Sequence, residues 1–193
     1  MTLLADIETT EDTKTVGPAF EEVPLDAQTL FRVEGTLAVD VIIVPISGEG
    51  AKVKIGLAQG SNMLCAQDTI NVGNFAQASA VWTHVAIVYY KSMSSAQLLV
   101  NGRLVVTMPG VSAGMLTSIG RPGATGEYYA GALDELRIWK VPRDASVIQQ
   151  NMHRRSNACD STMNAYWRLD EAIGSTCYDM TGELRQFASR IVA

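Results

Sequence analysis

The chain has 193 residues, a formal net charge of −5 and 47% hydrophobic residues, so it can bury a full core and is no acidic disordered tail. Its Lys and Arg residues are scattered, the densest group being Arg154 and Arg155, which excludes the clustered basic face that nucleic acid demands. No stretch reaches the roughly 20 apolar residues of a membrane span. Residues 1–10 carry neither a positive n-region nor an apolar h-region, so no secretory signal is read there. The cysteines, Cys65, Cys159 and Cys177, are odd in number and widely spaced. They form no disulfide framework and no CxxC metal pair; Cys159 pairing with Cys177 and free, partly buried thiols both stay open.

Residues 1–25 read as an N-terminal arm. They mix Thr, Glu and Asp with Gly17, Pro18 and Pro24 and lack a sustained periodicity, so the arm builds no core of its own and is either disordered or ordered against something else. Residues 26–193 read as one domain of short strands. Residues 27–44 hold apolar and β-branched runs, best over 36–45; after the Gly48-Glu49-Gly50 turn, 51–59 place Val53, Ile55 and Leu57 on one face and Lys52 and Lys54 on the other. A turn at Gly60-Ser61-Asn62 leads to a strand over 63–72. Residues 81–90 are apolar or β-forming at nearly every position, which predicts a strand covered on both faces. Asn101-Gly102 between two apolar runs predicts a type I′ hairpin over 97–108, because both turn residues tolerate positive φ.

A short strand follows at 118–121, a loop at 122–126 and a strand over 128–140. In that strand Asp134 shares a face with Ala132, Leu136 and Ile138, while Glu135 and Arg137 share the other with Leu133 and Trp139. Pro142 ends it, and Asp144 caps a short helix over 145–153, with Arg154 and Arg155 favourably placed at its C-terminus. Residues 165–169 form a final strong strand, and 187–192 an edge strand. Ten to twelve short strands with one helix near 144–154 predict an all-β, two-sheet antiparallel sandwich.

Four segments then resemble, in order, the signature of laminin-G-like, concanavalin A-like domains: Trp82-Thr83-His84-Val85-Ala86; Leu99-Val100-Asn101-Gly102-Arg103-Leu104; Ile119-Gly120-Arg121; and Gly131-Ala132-Leu133-Asp134-Glu135-Leu136-Arg137-Ile138-Trp139. A further segment, 165–176 with Asp179 and Gly182, resembles the family's Y-W-x-F-D-E-G-x-G-x-T element. That element usually opens such a domain; here it follows the helix and is read as closing the sandwich. The resemblance spans about 82–182 and implies a jelly roll of the concanavalin A-like kind.

The resemblance also implies that Asp134 is a calcium ligand, with Asp170 and Asp179 as partners, since calcium takes six to eight oxygens. The alternative is a hydrogen-bonded Asp at a strand end, beside a cross-strand Glu135–Arg137 ion pair. Tyr128 and Tyr129, next to the glycine-rich 120–126 loop, are the candidate contact for a glycan or a protein. Trp82, Trp139 and Trp167 are expected to pack, and His84 to be a satisfied, partly buried structural histidine. Retaining glucanases of this fold carry E-x-D-x-x-E on one strand; the chain has none, and Asp134-Glu135 and Asp170-Glu171 point to opposite faces, so no enzyme activity is expected.

Two functions remain. The first is a non-catalytic structural or interaction protein, whose arm mediates a homo-oligomer or larger assembly such as a phage virion, as a capsid decoration or fibre component. That reading places the protein in the virion or outside the cell after lysis, otherwise in the cytoplasm. The second is a soluble, calcium-dependent or calcium-independent carbohydrate-binding lectin.

Overall fold

A computed structural model describes residues 2–8, 21–22, 24–34, 39–46, 52–66, 70–71, 82–111, 114–121, 127–129, 131–171, 176–182 and 186–188. In chain order the strands are β1 (Thr2–Glu8), β2 (Glu21–Glu22), β3 (Gln28–Glu34), β4 (Val39–Pro45), β5 (Lys52–Gln59), β6 (Asn62–Cys65), β7 (Ile70–Asn71) and β8 (Trp82–Tyr90). They continue with β9 (Ser95–Val100), β10 (Arg103–Pro109), β11 (Met115–Ile119), β12 (Glu127–Tyr128) and β13 (Asp134–Trp139), then helix α1 (Ala145–Asn151), β14 (Met163–Trp167), β15 (Thr176–Tyr178) and β16 (Gln186–Ala188).

One sheet runs β10-β9-β8-β1-β13-β14; the other runs β11-β3-β4-β5-β6-β2, with β12 also beside β3 and β7 beside β5. Among the described residues only β12 with β3 is parallel. The expected two-sheet antiparallel sandwich is the fold, with β15 and β16 as a small separate pair.

Alternation explains the core. From the first sheet Val85, Ile87, Leu98, Leu136, Ile138 and Trp167 point inward. They meet Leu30, Phe31, Val41, Ile55, Leu57 and Leu64 of the second. The outer face of the first sheet is buried too: Ala86, Val88, Leu99, Trp139 and Tyr166 pack with Ile148 of α1. That second cover is why β8 reads as a continuous apolar run. A seven-residue helix is marginal alone, whereas burying Ile148 is worth about 1.5–3 kcal/mol, so docking holds α1 in place.

The hairpin forms as expected: Asn101 and Gly102 take φ of 49° and 74° between β9 and β10. Asp144 precedes α1 as expected, but its side chain makes no capping bond; its carbonyl accepts from Val147 and Ile148. The strand expected over 128–140 is two pieces, because β12 lies in one sheet and β13 in the other.

The largest difference is at the start of the arm. Residues 2–8 are not apart from the domain: β1 lies between β8 and β13, antiparallel to both. Its pairing is entirely with strands some 80 and 130 positions away, which local periodicity does not reveal. Residues 9–20 of the expected arm lie outside the described residues, as does most of the edge strand expected over 187–192.

Candidate functional site

Strand register gathers several sequence-predicted residues at one end of the sandwich. Glu8 pairs with Trp82, Asp6 with both His84 and Asp134, and Leu136 with Trp167, so β8 and β13 begin where β1 and β14 end. The Asn101-Gly102 turn closes the same end, where Asn101 N–H donates to the His84 carbonyl (2.8 Å) and Asn101 Oδ1 accepts from His84 N–H (2.9 Å).

Three aromatic side chains are exposed: Trp82 (41%) at the start of β8, Tyr128 (67%) in β12 and Tyr178 (57%) in β15. Trp82 therefore departs from the expected packing role, because it is the first residue of β8, where the sheet has run out of cover. Trp139 and Trp167 are buried as expected. The two tyrosines of the predicted contact part company. Tyr128 is open, whereas Tyr129 packs on the core and donates its hydroxyl to the Ala132 carbonyl (3.2 Å). Tyr178 was not singled out; Glu171 Oε1 accepts from its N–H (2.9 Å), and neighbouring Asp179 bridges to Trp167.

The three aspartates of the predicted calcium set do not converge. Asp134 Oδ1 accepts from Glu135 N–H (2.9 Å); burial is the main cause that raises its carboxyl above the usual range, with the Glu135 and Asp170 charges adding to it. Asp170 is held by Arg168, with Arg155 farther off at 3.9 Å. Asp179 Oδ1 accepts from Tyr166 N–H (3.0 Å), Thr181 N–H (2.9 Å) and the Thr181 hydroxyl (2.8 Å), fastening the 179–182 turn to β14. Its Oδ2 is buried without a hydrogen-bond partner among the described residues. One orphaned oxygen is not a calcium cage. Among the described residues no three of His, Cys, Asp and Glu sit together as a metal set, so these aspartates do not fit the ion as a group. The three cysteines form no disulfide among the described residues.

His84 is fully buried rather than partly so, and neither ring nitrogen has a hydrogen-bond partner among the described residues. Desolvation, then the nearby Arg137 charge, then His153, push its pKa down to about 3, so the ring is neutral.

A second constellation lies on the outer face of the first sheet. Glu135 has φ 53°, and its carboxylate contacts Arg137 two residues on in the same strand rather than across strands. Glu135 Oε2 also accepts from the Tyr166 hydroxyl (2.5 Å). Burial and that bond push the Tyr166 pKa up to about 12. Arg137 then donates to the carbonyls of Asn151 (3.4 Å) and Arg154 (2.8 Å), closing the C-terminal end of α1. Arg154 and Arg155, the cations the sequence places at that end, follow the helix, and the bonds to its end come from Arg137. Arg143 lies over the Trp139 ring, 3.3 Å from its centroid, and donates to Asp160 (3.0 Å) and Thr162 (3.0 Å). Between α1, the 152–160 segment and the sheet lies a cavity of about 220 Å³, lined by Arg137, Trp139, Arg143, Asn151, Arg154 and Arg155 among others. Sequence reasoning missed this site. Its signal was the shared face of Arg137 and Trp139, followed past Pro142 by three more arginines.

No helix among the described residues is long and apolar enough to cross a membrane. A laminin-G-type family profile, the concanavalin A-like lectin/glucanases superfamily, matches residues 27–149. Among solved structures, a proposed carbohydrate-binding protein of Bacteroides ovatus superposes with a TM-score of 0.59 at 18% identity, over 94% of this chain and 50% of its own. The chain thus spans half of that protein. The heptameric SAP-like pentraxin of Limulus polyphemus gives a TM-score of 0.49 at 17% identity, over 78% of this chain and 68% of its own. CBM40 of the Ruminococcus gnavus IT-sialidase gives 0.44 at 15% identity, over 77% and 80%. No curated protein sequence matches the chain.

Proposed function

The chain belongs to the concanavalin A-like lectin/glucanase superfamily, and from that premise we propose that it is a carbohydrate-binding, lectin-like module whose exposed aromatic rings, Trp82, Tyr128 and Tyr178, are its stacking surfaces at the sandwich rim. The observation that carries this reading is the exposure of three aromatic rings, Trp82, Tyr128 and Tyr178, in a fold shared over 94% of the chain with a proposed carbohydrate-binding protein. An aromatic side chain left open to solvent gives a sugar an apolar surface to stack on.

The rim acids support binding rather than cleavage. Hydrolysis takes two carboxyls poised across a bond. Here Glu135 is tied to Arg137 and Tyr166, Asp170 to Arg168, and Asp179 Oδ1 to the β14 backbone. The virion or assembly reading has less behind it. It drew on an arm that orders on a neighbour, whereas residues 2–8 are a strand of the chain's own sheet. The carbohydrate-binding reading has in its favour a fold shared over 94% of the chain with a proposed carbohydrate-binding protein.

The test is a glycan array followed by calorimetric titration of the best oligosaccharide against wild type, Trp82→Ala and Tyr128→Ala. Both side chains are exposed, so both variants should fold. Losing one stacked ring should weaken binding about tenfold. An empty array, or two variants that bind like wild type, would sink the reading.

A further inference from the structure

We propose that the cavity beneath α1 is a binding site for a small carboxylate, distinct from the aromatic rim. Its charge is the first argument. The lining holds four arginines and one acid, Asp160. Arg143 is matched by Asp160 and Arg137 by Glu135. Arg155 reaches Asp170 only at 3.9 Å, with both side chains largely in solvent, and Arg154 has no carboxylate partner among the described residues. Two guanidinium groups at the cavity mouth therefore remain available to an anion, and a carboxylate suits them because two N–H donors can meet its two oxygens.

The buried wall is the second argument. Arg137 is 1% exposed and Trp139 is 5% exposed. Arg137 Nε and Trp139 Nε1 are nevertheless buried donors without an acceptor among the described residues. Both residues line the cavity. Buried N–H donors in native proteins nearly always have an acceptor, so a cavity with donors to spare calls for an oxygen-bearing occupant. Arg143, laid on the Trp139 ring and anchored to Asp160 and Thr162, is already fixed in place and has little freedom left to lose on binding.

Size sets the class. A cavity of about 220 Å³ falls short of the 300–1,000 Å³ of drug-sized pockets and has room for roughly seven waters at liquid density. It would take a small acid, or the acidic residue of a sugar chain, and not an oligosaccharide.

The test is a titration of the full ¹⁵N-labelled chain with sodium acetate, sodium glucuronate and glucose at constant ionic strength. The readout is the Trp139 indole N–H resonance, assigned with Trp139→Phe. Acetate and glucuronate should shift it saturably and glucose should not. Arg154→Gln, at an exposed position, should weaken the acetate and glucuronate titrations about tenfold. Glucuronate binding at least about tenfold tighter than acetate would assign the site to an acidic sugar, and equal binding to a free carboxylate. A resonance that does not move, that moves equally with glucose, or that titrates unchanged in Arg154→Gln would show a water-filled void beneath a docked helix. Because the signal comes from Trp139, failure here leaves the rim reading untouched, and failure at the rim leaves this one.

Discussion

By the alternation along β8, His84 points to the outer face of the first sheet, where desolvation and the Arg137 charge hold it neutral. In the unfolded chain the same ring titrates near pH 6.5. Its folded pKa of about 3 is thus depressed, and between pH 3 and 6.5 the unfolded state binds the extra proton. Stability from this group is complete above pH 6.5 and is lost as pH falls from there towards 3, with a slope of at most about 1.4 kcal/mol per pH unit. Asp40 and Asp134 have carboxyl pKa values raised chiefly by burial, so they act in the opposite sense on acidification. The His84 contribution must therefore be read as a difference. Urea unfolding at pH 7 and pH 5 should show wild type losing about 2 kcal/mol more than His84→Gln. Parallel pH profiles for the two proteins would mean that His84 does not stay neutral in the fold. The sequence foretold a structural histidine; it did not foretell an unpartnered one. Whether a ring finds an acceptor depends on what covers the strand, and here that cover comes from distant residues.

The β9–β10 hairpin shows an element that its own sequence determines and a second constraint that it does not. Asn101-Gly102 suffices to place the turn, because both residues must take positive φ. A Cβ on Gly102 would also lie 2.6 Å from Gln149 Cβ and 2.8 Å from Gln149 Cα in α1. Gly60 has φ 60° but open space around it. Gly60→Ala should therefore cost only the left-handed backbone, about 1 kcal/mol, while Gly102→Ala should cost about 2–3 kcal/mol because the docked helix must also shift. Urea midpoints of the two variants measure the difference, and equal losses would mean that α1 yields freely. The same contrast explains the rest of the site. Alternation put Arg137 and Trp139 on one face, and that was legible. What completes the cavity is α1 folding back over that face, held by Ile148 and by Arg137 bonding its last carbonyls, and no spacing rule reports such a return. The calcium set shows the same dependence on local partners. Asp134, Asp170 and Asp179 look alike as letters, but each has its own local partner.

At the scale of the whole molecule, the sandwich depends on its first strand. β1 has seven residues in register with β8 and a bulged ladder with β13, so it fills a gap one strand wide inside the six-stranded sheet. Without it β8 and β13 would stand about 9.5 Å apart, twice the spacing between neighbouring strands, and each would present unpaired N–H and C=O groups. Closing that gap would require β8 and β13 to approach and would displace the core residues Val85, Ile87, Leu136 and Ile138 from their places against the second sheet. A chain lacking residues 1–25 should therefore lose its β-sheet circular dichroism and its cooperative melt, or elute as aggregates through its new strand edges. An arm that served only to hold a neighbouring subunit would give the contrary result, a folded monomer melting with the full chain. Size-exclusion chromatography with mass measurement, beside thermal melts, separates the two. A peptide of residues 1–10 added during refolding should restore structure if the lost element is a strand, because backbone pairing can be supplied in trans; rescue by a scrambled peptide of the same composition would show that pairing in register is not what the sheet requires.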